Sequence, residues 1–571
     1  RMERLRSVMT VEEGANCLEY LNADTVRASA ARYAPDPLSG TAKAADAHAV
    51  AKAILAEYPD VFKPCDIADP SLIAKKMIKK YSSGIPFEGQ KYYSKNGTES
   101  LLRRRSDLVK SGWMNSLVDS TRQLLVNGGA VPGMVHHVFV KDYIVERAKL
   151  DENPAKARTV IAQCSPWYML TKSLNYYFDK RNPQYWPEIP PKAGMPLTGA
   201  GYNYVLNKYE DCGQVVVLDY TAADAHENTQ AIEIIKTLRK SMFQHLGDKE
   251  AVEAIVDASF DSLESSHMIS LLDGENLPKN RGLSTGQASV TTDGSWIVVG
   301  IKIDCLAHLW KVSHQEAFNR CVISNMHDDA MLGLKRGYEI DSSKLIDIIE
   351  ERWKVPCRLE WEGTSPVGAP WLRKTVLEGT QFSEDFEKAG IDTPKYAIVH
   401  DREAIKTRQA ATLRSSGLRY AYERTLGHLL LCVHDDELFN FLHNEANLIR
   451  DKLLANVGNV RWLKVRRIPD RGAAVRRFYK PFKLPYRYVR KMSIYDVTKI
   501  ANDSIAQVYF GVTNALENLT GFSWKGERIM SGTNEAFPSR TEKLARGVDC
   551  LAKYPETREA YRGVVARSPI A

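Results

Sequence analysis

Ser324-Asn325-Met326-His327-Asp328-Asp329-Ala330-Met331-Leu332 sets two adjacent carboxylates between short apolar runs, with Cys321-Val322-Ile323 just before it. Apolar runs flanking a polar turn read as a β-hairpin, here with an Asp pair at its tip. Neighbouring aspartates repel each other. A hard divalent cation relieves that repulsion, because Mg²⁺ prefers carboxylate oxygens together with substrate phosphates. A solvated acidic turn fits the same residues, so the choice between the two falls to the segments upstream.

Gln214-Val215-Val216-Val217-Leu218-Asp219 is a continuous β-branched run ending in a carboxylate, the pattern of a buried central strand. Asp224 follows five residues on, and residues 226–247 read as one long helix. Arg281-Gly282-Leu283-Ser284-Thr285-Gly286-Gln287 is a small, polar, glycine-centred loop opening a helix over Ala288 to Trp310, with Ile297, Val298, Ile301 and Leu306 as core candidates. Free amides and hydroxyls at such a loop suit a phosphate or a ribose. Asp341-Ser342-Ser343 reads as the N-cap of a helix to about Trp353. Short strands are expected over 354–376, and mainly helix from about Ser383 onward and over residues 1–80.

Basic residues gather at three places. Arg103, Arg104 and Arg105 stand in a helical run with Lys91, Lys95 and Lys110 nearby, either a solvated face or a track for a phosphate backbone. Pro154-Ala155-Lys156-Ala157-Arg158-Thr159-Val160-Ile161 puts Lys156 and Arg158 on one face of an extended segment. Such a pair brackets a triphosphate or guards a sheet edge against aggregation. Residues 461–491 hold twelve Lys or Arg, Arg466, Arg467, Arg476 and Arg477 among them, against the single acid Asp470. Trp462, Phe478, Tyr479, Phe482, Tyr486 and Tyr488 are interleaved with them. Cations with aromatics suit a single-stranded nucleic acid, phosphates on the former and bases on the latter, although core aromatics give the same pattern. His434-Asp435-Asp436 repeats the acidic triplet, but Leu431, Leu438 and Leu442 at helical spacing read it as part of an amphipathic helix without a catalytic role.

A chain of 571 residues exceeds one ordinary domain, and 44% hydrophobic with 26% charged content describes a globular protein with a large core. No apolar run approaches the ~18–20 residues of a membrane span, and Arg1-Met2-Glu3-Arg4-Leu5-Arg6 leads into no apolar signal core. The nine cysteines are irregularly spaced without a C-x-x-C pair, so reduced thiols are expected. The net charge of +8 is modest for this size, which makes its distribution more informative than its total.

In chain order, a basic extended segment, a strand-end Asp-x4-Asp, a glycine loop before a helix and an Asp-Asp hairpin resemble the palm motifs of viral RNA-directed RNA polymerases. The likeness is to polymerases of the double-stranded-RNA bacteriophages, the cystoviruses, through Ala330-Met331-Leu332-Gly333, Gly282-Leu283-Ser284-Thr285-Gly286-Gln287 and Ser82-Ser83-Gly84-Ile85-Pro86. It covers roughly residues 75–380. Three positions depart from it: His327 stands where Gly or Ser is usual before the Asp pair, Val290 (with Thr291 next) where Thr is frequent, and Gly294 where Asn is frequent.

The resemblance implies an α+β closed right hand with an antiparallel palm sheet and a C-terminal initiation element. Fingers would span 1–213 (a basic motif near 149–163) and 248–284, the palm 214–247 and 285–382, and the thumb 383–571. Asp219 and Asp328, supported by Asp329, would hold two Mg²⁺ or Mn²⁺ ions about 3.5–4 Å apart. Lys156 and Arg158 would neutralise the NTP, while Asp224, Ser284, Thr285 and Gly286 would sense its ribose. Lys354 or Arg358 would stand as acid to the pyrophosphate. Trp524 or Phe522 would support primer-independent initiation, unless they are core residues. The expected partners are a single-stranded RNA template, a double-stranded product, NTPs and inner capsid proteins. The enzyme would act as a monomer without a membrane, inside the virion's inner capsid and in the bacterial cytoplasm. A reverse transcriptase shares such a palm, but its aromatic two residues before the Asp pair is Met326 here. An RNA-binding packaging or capsid protein would need the basic patches but not three clustered acids.

Overall fold

The computed structural model describes residues 17–19, 23–33, 46–77, 91–93, 99–101, 105–126, 135–140, 144–146, 159–163, 165–221, 223–247, 249–261, 267–270, 276–279, 282–283, 289–410, 418–457 and 467–482. Its strands include β1 (Val135–Val140), β2 (Thr159–Ala162), β3 (Cys212–Tyr220), β4 (His267–Ser270), β5 (Asn276–Lys279), β6 (Cys321–Met326), β7 (Asp329–Lys335), β8 (Cys357–Gly363), β9 (Pro370–Trp371), β10 (Lys374–Glu378) and β11 (Tyr396–His400). Around them run helices α1 (Ala47–Glu57), α2 (Ser165–Arg181), α3 (Gly199–Leu206), α4 (Ala223–His226), α5 (Thr229–Phe243), α6 (Val290–Trp310), α7 (Ser342–Trp353), α8 (Ser383–Ala389), α9 (Leu418–Leu431), α10 (Asp436–Val457) and α11 (Arg471–Phe478).

The central sheet has the order β6-β7-β3-β8 and is antiparallel throughout. The valine run places β3 in its interior, and both faces of β3 are covered. Val216, Leu218 and Tyr220 join α1, α5, α6 and α7 in one core, whereas Val215 and Val217 enter a second core with α3, β10, β11, α9, α10 and α11. Full burial of a Val or Leu side chain stabilises the fold by roughly 1.5–3 kcal/mol, so a strand sealed on both faces is firmly held. A second sheet, β2-β1-β4-β5, draws strands from two distant parts of the chain, and β1 and β4 pair in parallel. A third has the order β9-β10-β11.

Helix α6 is buried nearly all round, and Ile297, Val298, Ile301 and Leu306 are core residues as expected. Asp341 caps α7, its Oδ1 accepting the Ser343 amide at 3.0 Å. The strands expected over 354–376 are present as β8, β9 and the start of β10.

Several expectations are corrected. The helix expected over 226–247 is shorter, running from Thr229 to Phe243 as α5, which Asn228 caps by accepting the Ala231 amide at 2.9 Å while donating to the Trp353 carbonyl at 2.6 Å. The described residues after Ser383 are mainly helical as expected, with β11 among the helices and paired along its whole length with β10. Residues 1–80 include the strand Cys17–Glu19, paired with Ile144–Glu146. The second His-Asp-Asp triplet is helical only at Asp436, which opens α10; His434 and Asp435 belong to the turn between α9 and α10. There Asp435 accepts the Leu438 amide, Arg471 pairs with Asp436, and buried His434 contacts Asp385 at 3.2 Å and the Tyr479 hydroxyl at 2.9 Å.

Cys65, Cys212, Cys305, Cys321, Cys357 and Cys432 are free thiols. Among the described residues no helix is long and apolar enough to cross a membrane.

Candidate functional site

The hairpin is tighter than its sequence suggests. Ile323 faces Leu332 and Met326 faces Asp329, which leaves only His327 and Asp328 in the loop. His327, the first of the two loop residues, has φ of +60°, the positive sign that the favoured two-residue hairpin turns require there. Glycine is the usual occupant of that first position. A non-glycine residue there needs anchoring, and α6 supplies it through Ser295. The Ser295 hydroxyl accepts the His327 amide at 2.8 Å, and its carbonyl accepts Asn325 Nδ2 at 2.8 Å. The Asn325 main chain is fastened in turn to Pro190 and Lys192.

Asp328 therefore sits on the turn and Asp329 begins the return strand, where its Cα partner across β7–β3 is Asp219. Side chains alternate along a strand, so Asp219 shares a face with Val215 and Val217, and Asp329 with Met331. All three apolar residues belong to the core beside β10 and β11. The two carboxylates thus extend one face of the sheet at its end. The Asp329 carbonyl accepts Trp371 Nε1 at 3.4 Å.

Strand β8 completes this end of the sheet. Arg358 stands opposite Asp219, with Nη2 2.7 Å from Oδ2. A register shift then leaves Glu360 as the extra residue of a bulge between Leu359 and Trp361. Burial, then the charges of Asp328, Glu360 and Asp219, push the Asp329 carboxyl up to about 6, against the opposing pull of Arg373. Burial and Asp219 likewise raise Glu360, with Arg358 opposing. Asp219, Asp328, Asp329 and Glu360 form an oxygen-rich group whose mutual repulsion a divalent cation would relieve, and oxygen donors suit Mg²⁺ and Mn²⁺. The donor chemistry fits such an ion. The side chains as placed do not yet converge on one, since no three acidic, histidine or cysteine side chains among the described residues are arranged to hold a metal. Arg358 occupies one lobe of Asp219.

The glycine loop begins beside this centre, where the Gly282 amide donates to the Glu227 carbonyl at 2.9 Å and Leu283 is buried. Asp224 lies on α4. At the start of α6, Ser289 donates to Asp179 Oδ1 at 2.5 Å. One turn on, fully buried Asp293 pairs with Arg239 of α5, whose guanidinium lies 3.7 Å from the Phe178 ring centroid. Burial outweighs that arginine and pushes the Asp293 carboxyl up to about 7.

Of the other expected site residues, Lys156, Arg158, Ser284, Thr285, Gly286, Arg103, Arg104, Arg466, Trp524 and Phe522 lie outside the described residues. Arg105 opens the helix Arg105–Ser111. Lys354 is the C-cap of α7 with φ of +52°. Arg467, Arg476 and Arg477 are exposed, and Arg476 also donates to the Ala389 carbonyl at 2.9 Å. Trp462, Tyr486 and Tyr488 lie outside the described residues, and the other three aromatics are corrected as base-stacking candidates. Phe478 and Tyr479 are buried against α8 and α9, and Phe482 packs on Trp186 and Tyr204. Glu360 and Glu227 were missed by sequence reasoning. A bulge has no local sequence signal, and Glu227 is drawn in by a partner 100 residues away.

No family model matches the chain. It is similar to part of a viral polyprotein. The ORFB polyproteins of Cryphonectria hypovirus 1, strains EP713 and Euro7, are each 27% identical to it over 213 residues. That match covers 36% of this chain and 6% of either polyprotein.

Proposed function

We propose that the chain is a viral RNA-directed RNA polymerase that joins NTPs on an RNA template by two-metal nucleotidyl transfer, without a primer. The observation that carries the reading is the register Asp219↔Asp329, with Asp328 on the adjoining two-residue turn. It sets three carboxylates at one end of a sheet sealed by two cores. The viral relatives support the setting. Further support comes from the second sheet, which unites strands from 135–162 and 267–279, both within the proposed fingers.

In this reading Asp219, Asp328 and Asp329 hold Mg²⁺ or Mn²⁺, which would polarise the 3′-hydroxyl and neutralise the leaving pyrophosphate. The protein's own part is positioning and charge. Lys156 and Arg158 balance the triphosphate, while Asp224 and Ser284-Thr285-Gly286 meet the ribose. Arg358, which pairs with Asp219 in the structure, would stand beside the phosphates. Fingers, palm and thumb follow the boundaries given above. A cystovirus-like setting, with the enzyme enclosed by inner capsid proteins, is the narrowest form of the proposal.

The test is incorporation on a single-stranded RNA template without primer, with Mg²⁺ or Mn²⁺, comparing NTPs with dNTPs. Template-length RNA from NTPs is expected. A preference for dNTPs would indicate a reverse transcriptase, and RNA binding without synthesis in either metal would indicate a packaging protein.

A further inference from the structure

Two of the departures from the polymerase pattern, His327 and Gly294, meet in space. A Cβ built on Gly294 would fall well inside contact distance of His327 Cδ2 and Nε2, and 3.0 Å from Glu227 Oε1. Glycine inside a helix weakens it relative to alanine. In the buried second turn of α6, that weakness makes room for an imidazole. The ring is held there, since Nε2 lies 3.2 Å from Glu227 Oε1, with the His327 side chain 13% and the Glu227 side chain 1% exposed. A carboxylate only accepts hydrogen bonds, so Nε2–H is the donor.

Glu227 is also where three segments join. Its amide donates to the Ala223 carbonyl at 3.0 Å, on the helix that follows β3. Its carbonyl accepts the amide of Gly282, where the glycine loop starts. Its carboxylate takes the imidazole of the residue next to Asp328. The His327 amide, on the other side, is held by Ser295 of α6.

We propose that His327, Glu227 and Gly294 form one positioning unit that fixes Asp328 relative to Asp219 and the glycine loop. Gly294 is required because His327 occupies the space above it, so a substitution at 294 reaches the acidic centre through the imidazole. This inference rests on the proposed cation site, and Mn²⁺ binding reads it without any need for catalysis.

The experiment is a double-mutant cycle on the full chain with Gly294→Ala, His327→Gly and the pair together. Mn²⁺ affinity is followed by the free ion's paramagnetic resonance signal, alongside kcat and NTP KM. Glycine is at ease at φ +60°, so His327→Gly relieves the turn and keeps the fold. Gly294→Ala alone is expected to weaken Mn²⁺ binding and lower kcat, each by about tenfold, with little change in NTP KM. On the His327→Gly background the same alanine is expected to add almost nothing. His327→Gly, which removes the imidazole, and Glu227→Ala, which removes its acceptor, should weaken Mn²⁺ binding to a similar degree, and Glu227→Gln, which keeps an acceptor oxygen, should not. A merely structural unit would move the melting temperature and leave Mn²⁺ affinity alone. Additive effects of the two substitutions, or Mn²⁺ affinity equal in all variants, would overturn the proposal. A parent that binds Mn²⁺ with this coupling but makes no RNA would instead count against the polymerase reading alone.

Discussion

Arg358 and a divalent cation compete for the same carboxylate, and the competition has a calculable size. The Arg358–Asp219 pair is short at 2.7 Å, yet the arginine side chain is 72% and the aspartate side chain 35% exposed. Pairs this accessible to water are worth about 0.2–1 kcal/mol. A cation that must break the pair loses that much binding energy, so Arg358→Gln should tighten Mn²⁺ binding by up to about fivefold, at 1.36 kcal/mol per factor of ten. Loss of a positive charge from the rim acts in the same direction. Both effects are screened by salt, so the gain should shrink as ionic strength rises. Paramagnetic resonance titration of Mn²⁺ at low and high salt measures it. If Arg358 also faces the phosphates, NTP KM should rise in the same variant while metal affinity improves. Unchanged or weaker Mn²⁺ binding in Arg358→Gln would refute the competition.

Asp329 titrates near 6, so protons and cations should compete there: Mn²⁺ affinity is expected to be flat above pH 7 and to fall as pH drops through about 6. Glu360→Gln removes one repelling charge and should move that midpoint down, which the same titration across pH reads. Arg239→Met leaves Asp293 buried beside apolar neighbours and should cost about 3–5 kcal/mol of stability at neutral pH. Arg239→Met with Asp293→Asn should recover most of that, both by thermal melting. Lys302, fully buried below Tyr220, is pushed down to about 7 by burial. The unfolded amine keeps its proton to about 10.4, so between these values the unfolded chain binds more protons and stability should rise with pH. Lys302→Met should abolish that rise in urea-unfolding curves taken from pH 7 to 10.

How much of this was legible follows from how local each signal is. Val215-Val216-Val217 announces a strand sealed on both faces, and Asp341 announces a helix start, because propensity, patterning and capping act within a few residues. The apolar runs around His327-Asp328-Asp329 announce a hairpin but not its register. A two-residue turn with positive φ at a histidine decides that Asp329, rather than Asp328, lies across from Asp219. The bulge at Glu360 and the imidazole over Gly294 depend on residues far away in the chain. So does the burial of Phe478 and Tyr479, which reads in sequence like a nucleic-acid face. The second His-Asp-Asp triplet has the same local chemistry as the first, and only its ion pairs with Arg471 and Arg402 mark it as a helix–helix turn.

The central claim is that the facing pair Asp219 and Asp329, with Asp328 on the turn, is a cation-dependent centre for RNA synthesis. Single-turnover incorporation of the first nucleotides on an RNA template, by the parent and by Asp219→Asn, Asp328→Asn and Asp329→Asn, tests it most directly, with RNA binding followed in parallel. The account predicts rates at least about a hundredfold lower in Asp219→Asn, Asp328→Asn and Asp329→Asn, since a metal-holding carboxylate supplies several kcal/mol of transition-state stabilisation. RNA affinity should stay within a few fold of the parent. Incorporation at the parental rate in any of the three variants would contradict the assignment.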